Sequence, residues 1–194
     1  NEPFDFHGKH LKLETVRSDP KPDGGTQPLI MNAGASPNGQ AFAIRNCDAL
    51  FSSPRGSGSV QLLTEAVDRV KGLAAAEGRE IDVYSVGVIT CRPTMAEAVD
   101  YHRHCIIEEA DWNAVDSILA MKDVSPETVG EEEFQRRRSH QAHGMGGIPI
   151  VGDPDHVANE IINLAKAGIR GIGVSFVNYL DELPYFRDEV VPRL

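Results

Sequence analysis

Cysteine is scarce in this sequence: the three residues, Cys47, Cys91 and Cys105, are widely spaced and form no C-x-x-C pair. This spacing argues against a disulfide framework and is typical of proteins in a reducing cytoplasm. No apolar run approaches the roughly 18 residues that a membrane-spanning helix needs, and no signal-peptide pattern opens the chain. We therefore expect a cytoplasmic protein with no membrane partner.

Basic residues are also few, because 19 lysines and arginines oppose 29 aspartates and glutamates, for a net charge of -10 at pH 7. They form no long stripe, which argues against nucleic-acid binding and favours a soluble protein. With 41% hydrophobic residues, a chain of 194 residues can bury a sizeable core. We therefore expect one domain over residues 1–194.

The most informative stretch is residues 28–41, PLIMNAGASPNGQA. Its apolar run predicts a buried strand that leads through a short loop into a helix, with Ser36 as the N-cap and Pro37 at the first helical position. Gly34 allows the backbone to approach a ligand, and the first-turn N–H groups lie at the positive end of the helix dipole. Such a corner suits a phosphate. An ordinary strand-to-helix turn without a ligand fits these residues equally well.

Strands and helices alternate on both sides of this stretch. The pattern predicts a hairpin at residues 4–13, a short strand at 48–52, a flexible loop at 54–58, a helix at 60–76 and a strand at 81–91. An order of strand, helix, strand, helix and strand implies parallel strands with helical crossovers.

A helical insertion and a lid, together about residues 94–150, interrupt this alternation. A helix is predicted over residues 95–121. A second, charge-rich helix is predicted over 127–138, solvated and with internal ion pairs. Residues 140–147 contain two histidines and three glycines, which is typical of a loop that covers a site.

Two histidines of the insertion raise the question of a metal site. His102 and His104 face different sides of the predicted helix, whereas His102 and Cys105 share a side. No further acidic or thiolate partner is placed beside them by the sequence, so we expect no metal there.

The last part of the chain returns to the alternating pattern. Asp153 is placed to cap a helix that runs from Pro154 to Gly168, and a fourth strand is predicted over residues 170–177. One face of a final helix is expected to pack on this strand through Leu183, Phe186 and Val190. The sequence thus predicts four strand-helix units.

The order and spacing of five motifs resemble the bacterial-luciferase-like flavin-dependent monooxygenases. These motifs are FDFHGKH at residues 4–10, NAGASP at 32–37, VGDPDHVA at 151–158, GIGVSFVNY at 171–179 and PYFRDEVVP at 184–192. Within the family, the dimethyl-sulfone and pyrimidine monooxygenases look closest, and the alkanesulfonate monooxygenases are further off.

The resemblance implies an α/β fold, the C-terminal half of a (βα)8 TIM barrel with strands five to eight, and an active site at the carboxyl ends of the strands. Strands one to four would precede Asn1. An A-G-x-S loop of the family contacts the flavin phosphate. Carried over to this sequence, it implies Ala33, Gly34, Ala35 and Ser36 as cofactor-binding residues.

The resemblance is weaker for the substrate. Alkanesulfonate monooxygenases have an arginine and a histidine at the positions of Val86 and Val88, a tyrosine at Val177, and a lid arginine near His143. We therefore expect a neutral or weakly polar substrate, with Val86, Val88, Val177 and Asn178 as pocket candidates. His143 is the lid candidate, and the resemblance identifies no other catalytic residue.

The family implies a two-component FMN-dependent monooxygenase, in which a separate reductase supplies reduced flavin. A deazaflavin-dependent dehydrogenase of the same fold is an alternative, because both cofactors carry a phosphate. A non-catalytic flavin-binding half-barrel is another. Half a barrel has two unpaired sheet edges, so we also expect a homo-oligomer or association with a missing N-terminal half.

Overall fold

A computed structural model describes residues 2–34, 36–51, 60–143 and 147–194. The flexible loop predicted at residues 54–58 lies outside the described residues, as do Ala35 and three residues of the predicted lid, 144–146. The chain divides into two compact units, Asn1–Ile30 and Met31–Leu194. A single domain over residues 1–194 stays a prediction.

The first unit contains the predicted hairpin. Strands β1, Phe4–His7, and β2, Lys12–Val16, pair in antiparallel orientation. The N–H of Gly8 donates to the carbonyl oxygen of Leu11 at 2.8 Å and closes the turn. A 3-10 turn at Asp23–Gly25 follows.

The second unit is built on parallel strands, which confirms the α/β prediction. They are β3, Met31–Asn32; β4, Ala49–Phe51; β5, Asp82–Cys91; β6, Ile148–Gly152; and β7, Gly171–Ser175. The sheet order is β3-β4-β5-β6, and β7 also pairs with β5. Every one of these pairings is parallel.

Strand β5 is the centre of this sheet because it pairs with three other strands. Tyr84 lies opposite Phe51 of β4 and also opposite Gly171 of β7, so β4 and β7 occupy its two edges. Val88 similarly lies opposite both β6 and β7. It follows that β4 and β6 pair with successive parts of the same edge, and that the carboxyl half of β5 extends beyond β4.

The sequence did not predict β6. Its residues, IPIVG, form a short run that contains Pro149, which has no N–H to donate to a ladder and is typical of edge strands. Pairing with Gly87–Cys91 of β5 nevertheless makes it a strand. The described sheet therefore has one parallel strand more than the four predicted.

Four helices flank the sheet, at the positions that the sequence predicts. They are α1, Pro37–Asn46; α2, Val60–Ala76; α7, Pro154–Lys166; and α8, Tyr179–Tyr185. The helices α3 to α6 lie in the insertion and are described below. Asp153 caps α7 by accepting a hydrogen bond from the N–H of His156 at 2.9 Å. In the parts of the chain that the structure describes, no helix has both the length and the apolar character to cross a membrane.

The main hydrophobic core is formed by one face of β5 together with α1, α2, α7 and the end of the chain. Its buried members include Ile44, Leu63, Val67, Val83, Ile89, Val157, Phe186 and Val190. Because side chains alternate along a strand, the odd-numbered residues of β5 define the core face. The opposite face carries its even-numbered residues, Tyr84, Val86, Val88 and Thr90.

The insertion between β5 and β6 is helical, as predicted, but it is not continuous. It comprises α3, Met95–Arg103, with a π turn at His104–Glu108; α4, Trp112–Met121; α5, Pro126–Val129; and α6, Glu131–Ala142. Residues 95–121 are helical, as predicted, except for a break at residues 109–111. Asp111 starts a new helix there by accepting a hydrogen bond from the N–H of Ala114 at 2.9 Å.

Helix α6 has the internal ion pairs that the sequence predicts. Glu133 contacts Arg136 at 2.7 Å and Arg137 at 2.6 Å, and hydrogen bonds from these two arginines lower the pKa of Glu133 to about 2. Arg138 instead reaches Asp116 of α4 at 2.6 Å, and its guanidinium lies 4.3 Å from the ring centroid of Trp112. Arg138 thus joins two helices, which the sequence did not predict.

The final helix departs from its predicted face at one position. Phe186 and Val190 are buried as expected, but Leu183 is 45% exposed. Pro184 lies within α8, and a π turn at Phe186–Val190 follows directly. A π turn is wider than an α-helical turn, so it changes the helical phase between Phe186 and Val190.

Candidate functional site

Two groups of candidate residues lie at the carboxyl ends of parallel strands. The first is the corner between β3 and α1, and the second lies at the end of β5 on the face opposite the main core. Carboxyl ends of parallel strands meet at one edge of a sheet, and ligands of open and closed α/β folds bind at that edge. Two steps in the sheet order separate β3 from β5, or roughly 10 Å.

The first turn of α1 shows which hydrogen-bond donors the corner can offer. Ser36 Oγ accepts from the N–H of Gly39 at 3.0 Å, and its carbonyl oxygen accepts from the N–H of Gln40 at 2.9 Å. Pro37 has no N–H. No described residue accepts from the N–H of Asn38. The hydroxyl proton of Ser36 and the N–H of Asn38 therefore remain for a ligand.

Two glycines allow the loop to lie directly on this turn. A Cβ atom at Gly34 would be 2.7 Å from Cα of Gly39, and a Cβ atom at Gly39 would be 2.8 Å from Cα of Gly34. The side chain of Asn32 holds the loop from the other side, because its Oδ1 accepts from the N–H of Gly34 at 2.7 Å. The sequence motif indicated Gly34 but not Gly39. The available signal was a second glycine five residues after Gly34.

This corner fits a phosphate. Its donors are a hydroxyl and a backbone N–H at the positive end of a ten-residue helix, and the glycine contact keeps side chains away from the loop. Ser36 is exposed, as is Ala33, so a ligand can reach the cap from solvent. The roles of Ala33, Gly34, Ala35 and Ser36 in binding stay predictions.

The second group contains the two valines that the sequence singles out. Val86 and Val88 lie on the same face of β5, and Val88 is 5% exposed. A Cβ atom at Gly147 would be 2.9 Å from Cγ1 of Val86 and 2.8 Å from Cγ2 of Val88. The backbone at the end of the insertion therefore covers both valines. The wall that they form is apolar and closely packed.

Further along the same face, Thr90 and two histidines form a cluster that the sequence did not predict. Thr90 Oγ1 lies 3.3 Å from Nδ1 of His102, and the ring of His102 lies 4.9 Å from the ring of His143. His143 donates from Nδ1 to the carbonyl oxygen of Ser139 at 2.5 Å. Burial lowers the pKa of His102, and the nearby His143 lowers it further.

Val177 and Asn178 lie at the start of α8. Val177 is 51% exposed. Asn178 caps the helix, because its Oδ1 accepts from the N–H of Leu180 at 3.1 Å. The place of Val177 and Asn178 in a substrate pocket stays a prediction.

A partly buried ion pair joins the end of β5 to α8. Arg92 donates to Oε1 of Glu182 at 2.6 Å, and Oε2 of Glu182 accepts from the N–H of Asn178 at 3.1 Å. The guanidinium also lies 3.6 Å from the ring centroid of Tyr101. The charge of Arg92 is therefore neutralised by a carboxylate 90 residues away in the chain.

Within residues 2–34, 36–51, 60–143 and 147–194, no group of three histidine, cysteine, aspartate or glutamate side chains is arranged to hold a metal ion.

Comparison with known proteins gives a family match over most of the chain. Residues 1–171 match the model of a family described as luciferase-like monooxygenase. The chain is 26% identical over 194 residues to the FMNH(2)-dependent dimethylsulfone monooxygenase of Pseudomonas fluorescens, covering 97% of this chain and 52% of that protein. It is 23% identical over 198 residues to the pyrimidine monooxygenase RutA of Acinetobacter baylyi, covering 98% and 51%.

Solved structures have the same fold. The crystal structure of DmoA from Hyphomicrobium sulfonivorans matches with a TM-score of 0.77 and 19% identity, over 100% of this chain and 46% of that one. The coenzyme F420-dependent tetrahydromethanopterin reductase of Methanopyrus kandleri matches with a TM-score of 0.63 and 18% identity, over 98% and 58%. The chain spans about half the length of the relatives it matches.

Proposed function

The chain belongs to the luciferase-like monooxygenase family, and from that premise we propose that it is the C-terminal half-barrel of an FMN-dependent monooxygenase that acts on a small uncharged molecule. The observation that carries this proposal is the corner at Ser36. Its free donors face solvent beyond a parallel strand, where a family that uses flavins needs a phosphate site.

The residues of the corner would hold the cofactor through its phosphate. Ser36 donates its hydroxyl proton, Asn38 donates its N–H, and the dipole of α1 favours the negative charge. When bound, reduced flavin supplies the activation of oxygen and its transfer to the substrate. A separate reductase is the proposed source of the reduced flavin.

The apolar wall of Val86 and Val88 supports an uncharged substrate. A sulfonate would need an unpaired cation beside it, and Arg92, which directly follows β5, is already bound to Glu182. The named substrates of two relatives, dimethylsulfone and pyrimidine, are uncharged. We propose the same chemical class for this protein.

The chain must also exclude water from the site, because reactive oxygen species would otherwise react with solvent before they reach the substrate. The close packing of Gly147 on Val86 and Val88 supports this role for the end of the insertion. A lid over residues 140–147, which includes His143, stays part of the proposal.

The test is a titration of the complete protein with FMN, using Ser36→Ala and a matched control, Asp111→Ala, which removes a helix cap in the insertion. Loss of a hydrogen bond to a charged group costs roughly 1.5–3 kcal/mol, so we expect the Kd of Ser36→Ala to rise by about one to two orders of magnitude. The control should bind like the wild type. An unchanged Kd for Ser36→Ala would remove Ser36 from the site.

A deazaflavin-dependent oxidoreductase is the second candidate. Solved neighbours of the same fold include F420-dependent enzymes, and a phosphate at Ser36 serves either cofactor. The two are distinguished by titrating the complete protein with FMN and with the deazaflavin in parallel and following absorbance. We expect binding of FMN at lower concentration. Preference for the deazaflavin would replace the monooxygenase proposal with the dehydrogenase.

A further inference from the structure

Thr90 is one of two fully buried hydroxyl residues on β5, and the two differ in their partners. Ser85 lies on the core face, and its Oγ has no hydrogen-bond partner among the described residues. Thr90 lies on the opposite face, is 2% exposed, and has Nδ1 of His102 at 3.3 Å. The histidine therefore satisfies a hydroxyl that burial would otherwise leave unpaired.

This contact indicates which ring nitrogen of His102 carries the proton. A neutral imidazole has one nitrogen that donates and one that accepts, and the lowered pKa of His102 favours the neutral form. A buried threonine proton needs an acceptor, and among the described residues only Nδ1 of His102 is in reach. Thr90 therefore donates to Nδ1, and the ring proton lies on Nε2.

Nε2 of His102 is left without a partner among the described residues. The ring is half-buried at the carboxyl end of β5, beside His143 and on the same strand face as Val86 and Val88. His143 donates from its own Nδ1 to the carbonyl oxygen of Ser139, and no hydrogen bond between the two rings is present among the described residues. The structure thus presents a fixed, neutral N–H donor at the end of an apolar wall.

We propose that His102 binds the substrate, by donating a hydrogen bond from Nε2 to an uncharged sulfonyl or carbonyl oxygen. This inference rests on the proposed function and narrows its substrate class. A neutral donor stabilises an uncharged acceptor, and a substrate without such an oxygen would leave the N–H unpaired in a partly buried site. Simple alkanes are therefore poor substrates, and small sulfones or ring carbonyl compounds are good ones.

Two substitutions distinguish the roles of the two ring nitrogens of His102. In His102→Gln the side-chain amide reaches the position of Nε2 and keeps a donor there, whereas in His102→Asn it reaches only the position of Nδ1. In the complete protein with a reductase and dimethyl sulfone or uracil, we expect His102→Asn to raise KM about tenfold. His102→Gln should stay close to the wild type. The Kd for FMN should be unchanged in both.

His104 supplies the matched control. It is an exposed histidine two positions away, and it contacts Glu108 instead of β5. His104→Asn should leave KM unchanged. Equal KM values for wild type and His102→Asn, with normal folding of both, would overturn the proposal.

A second measurement observes the ring of His102 directly and needs no turnover. Long-range ¹H–¹⁵N spectra of the complete protein should show the Nε2–H tautomer of His102, and Thr90→Val should disturb that pattern. Addition of dimethyl sulfone or uracil should shift Nε2 of His102 and leave His104 unaffected. A Nδ1–H tautomer, or no response of Nε2 to either ligand, would also overturn the proposal.

These experiments distinguish failure of the proposed monooxygenase activity from failure of the binding role of His102. If the wild type oxygenates neither compound but Nε2 of His102 responds to them, the proposed monooxygenase activity fails and the binding role of His102 stands. If the wild type oxygenates them and His102→Asn behaves like the wild type, the activity stands and the role of His102 fails.

Discussion

Gly34 and Gly39 control the candidate phosphate corner although neither has a functional side chain. A Cβ atom on Gly34 would lie 2.7 Å from Cα of Gly39, and one on Gly39 would lie 2.8 Å from Cα of Gly34, which is closer than Cβ atoms approach backbone in proteins. A side chain at either position would therefore push the loop away from α1. Since that loop leads directly to Ser36, the geometry of the cap depends on this contact.

Replacing Gly39 with alanine should weaken both cofactor binding and folding. We expect the Kd for FMN to rise by about tenfold and the free energy of unfolding to fall by about 1–3 kcal/mol, because the added methyl overpacks the loop. Fluorescence titration and thermal unfolding measure the two effects.

Gly72→Ala is the control for this substitution. Gly72 also lies within a helix, α2, and a Cβ atom there would meet nothing within 4 Å. We expect Gly72→Ala to stabilise the protein by about 0.5–1 kcal/mol without changing FMN affinity. Wild-type affinity in Gly39→Ala would show that the glycine contact does not shape the site.

Among the helices, α4 and α6 are connected by the side chain of Arg138. Arg138 makes two hydrogen bonds to Asp116, at 2.6 and 3.0 Å, and lies over the ring of Trp112. A small second core lies beside it, formed by Val115, Leu119 and Val124. Because the backbone of Gly147 contacts β5 directly after this helical region, the order of α6 bears on how the end of β5 is covered.

Arg138→Ala should destabilise the protein by about 1 kcal/mol at pH 7, since a partly exposed ion pair and a cation–π contact are both lost. The hydrogen bond from Arg138 lowers the pKa of Asp116. The pair therefore stabilises the fold above the ordinary pKa of an aspartate, and this contribution is lost as the pH falls through the lowered pKa. The difference in Tm between variant and wild type should accordingly shrink towards pH 3.

Arg136→Ala is the comparison for this prediction, because Glu133 keeps Arg137 as a partner when Arg136 is removed. Its effect on Tm at pH 7 should be smaller than that of Arg138→Ala. Equal effects of the two substitutions would mean that Arg138 acts only as a surface charge.

For the whole molecule, the described sheet is open at both ends. Among the described strands, β3 pairs only with β4, and β7 pairs only with β5. Large apolar side chains are exposed near these strands, including Met31, Phe42, Val177, Leu180 and Leu183. Open edges and exposed apolar groups favour association, and the chain spans about half the length of its relatives.

Residues 1–194 alone should therefore associate with themselves or with an N-terminal half-barrel, and should not couple oxygen consumption to substrate oxidation. Sedimentation analysis gives the first result. An assay with FMN, a reductase and dimethyl sulfone or uracil gives the second, and the same assay with the N-terminal half present is the control. Coupled oxygenation by a monomeric chain of these residues would contradict the half-barrel proposal.

Features that depend on residues close together in the chain were predicted correctly from the sequence, whereas features that depend on distant residues were not. Ser36 and Asp153 were correctly predicted as caps because a cap depends on residues within about four positions. Strand β6 was missed because a short run with Pro149 becomes a strand only by pairing with β5. Leu183 was expected to be buried but is 45% exposed, because burial of a helix face depends on which distant segments pack against it.

By itself, the sequence determined the parallel α/β pattern, the family resemblance and the corner at Ser36, since hydrophobic period, caps and motifs are local properties. Only the tertiary structure decided which side chains meet at the end of β5. Thr90, His102 and His143 come together there, and so do Arg92 and Glu182, 90 residues apart. Such contacts depend on how the insertion and α8 pack against one strand face, and packing between distant segments leaves no periodic signal in the sequence.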